Sequence, residues 1–235
     1  MMWPIPALEH KVVSILFFSN ELVCCWIEKS AHNSLLTVRA YKRYPLTNLE
    51  LVGLVIFNPT ILKKYITSFL REHNLNDAFI VFSLGGSSIT EQFVALPTST
   101  PHYRDFSHNP GTRSIIWQYR YLYPHEDGQC MFYTYAVPRI LLLQYQLLAM
   151  SIHCNLIKIT THSASVLLAY EHLFGKAFRR SQLAVDMIRV HNNVDALISV
   201  DALHRMVKVD TDINVVQERP YLAAAIGIWS GERIQ

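Results

Sequence analysis

The chain has 235 residues, 51% of them hydrophobic and 17% charged, and its 21 basic against 18 acidic side chains leave a formal charge of +3. A chain of that size and composition buries a large core, as one domain or two small lobes, and is not disordered. The near-even charge excludes a nucleic-acid surface without clustered cations, and the tight pairs, Lys63-Lys64 and Arg179-Arg180, read as solvated helix ends.

Met1–His10 holds Trp3, Pro4, Pro6 and Glu9 and lacks the basic start, apolar stretch and small-residue cleavage site of a secretory signal. Residues 11–28 are rich in β-branched and aromatic side chains and break at Ser19-Asn20, which predicts the two strands of a hairpin. Cys24 and Cys25, neighbours on the second strand, point to opposite faces and cannot readily share a metal. With Cys130 and Cys154 they read as buried free thiols of a reducing cytoplasm. A third strand is expected at 34–41, after the His32-Asn33 turn. Asn58-Pro59-Thr60 sets a cap and a first-turn proline before Ile61, Leu62, Tyr65, Ile66, Phe69 and Leu70 at helical spacing. A buried strand follows at 78–83. Gly85-Gly86-Ser87-Ser88 has the composition of a phosphate cradle, but it joins that strand to another at 89–96, where a turn needs glycine for its own dihedrals.

Residues 98–112 have the polarity and turn formers of a loop, and its His102 and His108 lack a third metal ligand at a recognisable spacing. Strands at 113–123 and 130–137 meet at the turn containing Asp127-Gly128. Trp117, Tyr119, Tyr121 and Tyr123 lie two apart and predict an aromatic stripe on one face, suited to packing under a helix or to receiving a peptide. Arg113 and Arg120 are too few interleaved cations for stacked nucleic-acid bases. A helix is expected from Pro138; its apolar run, broken by Gln144 and Gln146, is too short to span a membrane despite a mean hydropathy of +0.16. A strand at 155–160 and a helix at 163–173, capped at Thr161 or Ser163 and ended by Gly175, come next. Beyond a basic link at 176–181, three strands are expected at 182–191, 194–200 and 203–209, a second meander repeating the first. A small-residue helix closes the chain at 220–229.

Three strands, a helix and a strand are the opening order of the actin-like fold. The opening meander, residues 51–70, VFSLGGSSITEQFVALP at 81–97, YTYAVPRILLLQYQLLAMSIHCNLIKIT at 133–160 and YLAAAIGIW at 221–229 together resemble the PilM and HofM group of type IV pilus assembly proteins, relatives of FtsA. The match spans most of the chain and is built from apolar classes more than from fixed residues. It implies an α/β, actin-like fold, duplicated from a ribonuclease H-like unit, shortened and lacking subdomain 2B. The implied parts are a first lobe at 1–97, an inserted 1C-like subdomain at 98–155, a second lobe at 156–219, and a closing helix at 220–235.

Complete members of that group carry an acidic-glycine loop in the first meander, an Asp-x-Gly loop in the second and a glycine-rich adenosine loop before the closing helix. Here Leu16 and Phe18 stand at the first, Asp186 fits the second aspartate but Ile188 replaces its glycine, and residues 209–220 hold no glycine. Mg²⁺ needs hard oxygen and phosphate needs close backbone approach, so the resemblance implies no catalytic residue, no cofactor and no metal. It also looks close to the cytoplasmic part of the type II secretion protein GspL. The implied role is a cytoplasmic scaffold of a type IV pilus, competence or type II secretion machinery. Its partner would be the cytoplasmic N-terminal tail of a PilN-like bitopic protein, with Trp117, Tyr119 and Tyr121 as groove candidates. The chain would sit at the inner membrane only through that partner and bind no nucleic acid; a homodimer is left open. Two other readings stand beside it: a divergent ATPase or sugar kinase using Asp186 for Mg²⁺ and Ser87 or Ser88 near phosphate, and a plain dimerising structural domain.

Overall fold

The computed structural model describes residues 11–29, 35–97, 114–125 and 127–230. The expectations for Met1–His10, for the His32-Asn33 turn, for Arg113 and for the 98–112 loop with His102 and His108 lie outside the described residues.

Strand β1 (Val12–Phe17) is buried at every position, and a run that is apolar apart from Ser14 suits a strand covered on both faces. It turns at Ser19-Asn20, where the Phe18 N–H donates to the Glu21 carbonyl, into antiparallel β2 (Glu21–Lys29), which pairs with β3 (Leu36–Pro45). A short hairpin, β4 (Leu51–Val52) and β5 (Val55–Ile56), leads to α1 (Pro59–Glu72), capped as expected by Asn58 on the Thr60 N–H. Strand β6 (Phe79–Leu84) returns parallel to β1. Strands β7 (Thr90–Leu96), β8 (Ile115–Pro124) and β9 (Cys130–Pro138) form a separate antiparallel sheet in the order β7-β9-β8. Helix α2 (Arg139–Ile152) and strand β10 (Asn155–Thr161) lead back to the main sheet, whose order is β10-β6-β1-β2-β3-β11. The small sheet therefore recruits β7 from before residue 97, and α2 leaves it to pack on the main sheet.

Alternate residues of β1 serve two cores. Val13, Ile15 and Phe17 meet Leu62, Ile66 and Phe69 of α1 and Leu141, Tyr145 and Leu148 of α2. Leu16 turns the other way, with Cys25, Val38 and the helices that follow β10. Cys24 and Cys25 consequently lie in opposite cores, and burial pushes both thiols far up.

The second meander does not form. Helix α3 (His162–Arg189) kinks at Gly175 and continues through the segment expected as a strand at 182–191. A short 3-10 turn (Val194–Ala196) and α4 (Val200–Met206) replace the strand expected at 194–200 and most of that at 203–209. Only β11 (Val207–Val209) remains extended, and it adds parallel to β3 of the first sheet. The burial shows why: Leu183 and Met187, four apart, are in the core while Val185 and Ile188 are exposed, a helical period that the dense apolar content hid. Helix α5 (Val215–Ser230), longer than expected, lies across α3, and a methyl on Gly227 would collide with the Ser165 carbonyl. The Ser14 hydroxyl of β1 ties this layer to the sheet by donating to the Ala225 carbonyl at 3.2 Å.

Candidate functional site

Leu16 and Phe18, the residues expected at the first phosphate position, both pack against the protein's own side chains. Leu16 is fully buried in the sheet, and the Phe18 ring packs 4.0 Å from the His162 imidazole and 4.9 Å from the Tyr221 ring, centroid to centroid. His162 opens α3 and its Nε2 is 3.1 Å from the Ser83 carbonyl; burial lowers its pKa to about 3, so the neutral ring donates there. Its flank lies against Gly85, where a side chain would fall inside the imidazole. Gly85 is thus needed for close approach of a histidine. Ser88, offered for phosphate in the kinase reading, donates to the Gly53 carbonyl.

The start of α3 is also satisfied internally. Thr161 caps the Ala164 N–H, and the Glu91 carboxylate accepts from the Ser163 hydroxyl and the Tyr133 hydroxyl, each at 2.7 Å. A carboxylate at a helix N-terminus takes the place that favours anions. On the other side of Tyr221, Arg43 bridges Glu21 (2.5 Å) and Glu218 (2.9 Å) and stacks over the Tyr221 ring, closing α5 onto the end of the β2–β3 pair.

Asp186 and Ile188 do not reach this place. Asp186 is buried on the distal half of α3, where it accepts from the Tyr170 hydroxyl at 2.7 Å and from Gln182 at 3.1 Å, and Ile188 faces solvent. The aspartate expected beside a phosphate is a helix-internal hydrogen-bond acceptor, because the meander that would have carried it is helical.

The aromatic stripe is shorter than its spacing suggested. An irregularity between Tyr121 and Tyr123 puts Tyr121 opposite Phe132 and Tyr123 opposite Met131, so Tyr123 turns to the other face. Trp117, Tyr119 and Tyr121 share a face with Ala136, Thr134 and Phe132; the Tyr119 and Tyr121 rings pack edge-on against Phe132. Ile116, Gln118 and Arg120 project the opposite way, toward β10 and α3, and Arg120 pairs with Glu171.

That second face borders a groove. Among the described residues β8 and β10 are both edge strands, one from each sheet. Between them run two adjoining cavities of about 260 and 410 Å³, which share Gln118, Tyr135, Lys158 and Thr160. Ile116, Leu142 and Ile157 line one end, and Leu168 and Glu171 the other, with Tyr119 and Tyr121 at the rim. Burial raises the Tyr135 hydroxyl to about 12, so it stays protonated and donates to Gln118. The groove thus offers two strand edges, an apolar end at Ile116, Leu142 and Ile157, and a polar remainder that includes the Arg120–Glu171 pair. The signal in the sequence was the alternation Ile116, Gln118, Arg120, masked by the heavier aromatic residues between them.

No family model and no curated protein sequence matches the chain. Solved structures do. A chain of the PilM-PilN type IV pilus biogenesis complex superposes with a TM-score of 0.57 at 11% identity, over 71% of this chain and 52% of that one. The fold is actin-like. The cytoplasmic domain of EpsL, an inner membrane component of the Vibrio cholerae type II secretion system, aligns at a TM-score of 0.41, with 10% identity over 66% of this chain and 57% of that one. A Bacteroides thetaiotaomicron protein of actin-like ATPase fold aligns at 0.37, with 10% identity over 94% and 99%. The chain spans about half the length of the PilM-PilN chain it resembles, and its three-stranded meander, helix and two parallel strands occur once among the described residues. No helix among the described residues is long and apolar enough to cross a membrane.

Proposed function

We propose that the chain is a non-catalytic scaffold of a type IV pilus or type II secretion machinery that holds the N-terminal cytoplasmic tail of a PilN-like bitopic protein in the groove between β8 and β10. The observation that carries this reading is the pairing of two edge strands across an accessible cleft. An extended peptide docks there by adding main-chain hydrogen bonds to a strand edge, while side-chain pockets supply selectivity. The likeness in fold to a chain of the PilM-PilN complex supports the choice of partner. The absence of catalysis is inferred from Phe18, His162 and Tyr221 packing together at the hairpin, and from Glu91 standing at the N-terminus of α3. Membrane localisation would then depend on the partner.

The test is fluorescence anisotropy with a labelled synthetic tail of the PilN-like protein from the same genome. Ile116→Glu and Ile157→Glu, both at partly exposed groove positions, should weaken binding by about 1 to 3 kcal/mol without lowering the melting temperature. Unchanged affinity in both variants would remove the groove from the mechanism.

A further inference from the structure

Helix α2 carries a second surface that the tail groove does not use. Leu142 and Gln146 face the groove, and Leu141, Tyr145, Leu148, Ala149 and Ile152 face the core. The outward face holds Ile140, Leu143, Leu147 and Met150, which are 68%, 42%, 63% and 70% exposed. These four recur at intervals of three, four and three residues, the a/d seam of a helix pair. On one side of the stripe Gln144 accepts the Ile56 N–H at 3.2 Å and fixes α2 to the β4–β5 segment.

We infer that this face joins two copies of the chain through antiparallel packing of α2 on α2 about a two-fold axis that crosses the exposed stripe midway between Leu143 and Leu147. Three features select a second copy over another occupant. The stripe is palindromic: Ile140 and Met150 are equidistant from Tyr145, as are Leu143 and Leu147, so antiparallel copies meet as Ile140 with Met150 and Leu143 with Leu147 in an isologous contact. The helix has no acidic residue and a single cation, Arg139 at its start, so two copies face each other without like-charge repulsion along the seam. The same scarcity of cations offers little to an anionic lipid surface. The four exposed side chains amount to roughly 450 Å², the size of the largest and often functional patch on a monomer. The interface lies beside the groove and uses none of its lining residues, so a dimer would present two tails side by side. The inference stands on the α2 face alone and does not require the groove assignment.

Sedimentation velocity of the intact chain between roughly 1 and 100 μM should show a reversible dimer. Leu147→Glu and, separately, Met150→Lys should each raise the dimer dissociation constant by about 100-fold or more, since every substitution occurs on both partners. Ile188→Glu, an equally exposed change on α3, should leave it unaltered. Geometry is read by oxidative cross-linking: a mixture of Ile140→Cys and Met150→Cys chains should give a covalent dimer, and Ile140→Cys alone should not. Circular dichroism checks that the variants are folded. A wild-type chain that stays monomeric at the highest concentration overturns the inference, as does binding of that monomer to phosphatidylcholine vesicles. Efficient cross-linking of Ile140→Cys to itself overturns the antiparallel arrangement.

Discussion

Replacing His162 by Gln should remove a specific acid sensitivity from the fold. The imidazole is buried between the Phe18 ring and Gly85, with its Nε2 on the Ser83 carbonyl, and burial lowers its pKa from 6.5 to about 3. A histidine whose folded pKa lies below its unfolded value stabilises the native state above the unfolded pKa, and that stability is lost as pH falls from 6.5 toward 3. With those two values the loss between pH 7 and pH 5 comes to about 2 kcal/mol. Gln cannot take up a proton but can still donate to the Ser83 carbonyl. Urea unfolding at both pH values should show the wild-type chain losing about 2 kcal/mol more than His162→Gln, whatever the absolute stability of the variant. His172, lowered by burial and by Lys29, and Asp195, raised by burial and by Glu91, titrate in both proteins, so their contributions cancel in the difference. Equal pH dependence in the two proteins would refute the buried, neutral His162.

Gly227→Ala should destabilise by about 3 kcal/mol in thermal or urea unfolding, because the added methyl meets the Ser165 carbonyl across the α3–α5 crossing and the backbone there must shift. Tyr170→Phe removes a buried 2.7 Å donor from Asp186 and should cost about 1 to 3 kcal/mol; an effect below 0.5 kcal/mol would mean Gln182 and Arg189 suffice for that carboxylate. Millimolar ATP with Mg²⁺ should leave the melting temperature unchanged, since any ligand bound to the native state would raise it. Tyr119→Ala, at the groove rim with its ring edge-on to Phe132, should weaken tail binding by less than Ile116→Glu does in the same anisotropy assay, because its side chain lies on the opposite face of β8.

The amino-acid sequence by itself determined the parts of this fold where local signals agree. The all-buried β1, the hairpin at Ser19-Asn20, the Asn58-Pro59 start of α1 and the Asp127-Gly128 turn combine period and turn chemistry in short segments, and each was legible. The opposite placement of Cys24 and Cys25 followed from pleat alone. Residues 182–209 were different: an apolar content that suits either a strand or a buried helix was resolved only when Leu183 and Met187 found the core beside α5 and left Val185 and Ile188 in solvent. That outcome put Asp186 inside a helix beside Tyr170 and Gln182 and removed the second meander. The groove, too, was a tertiary result. Sequence marked Trp117, Tyr119 and Tyr121 because aromatic residues carry the strongest local signal, whereas the cleft arises where β8 of one sheet and β10 of another run near each other with Ile116, Gln118 and Arg120 turned inward. Distance along the chain hides such a pairing, since 36 to 45 residues separate the facing positions 116–120 from 156–161 in sequence, and only closure of both sheets around α2 and α3 brings them together.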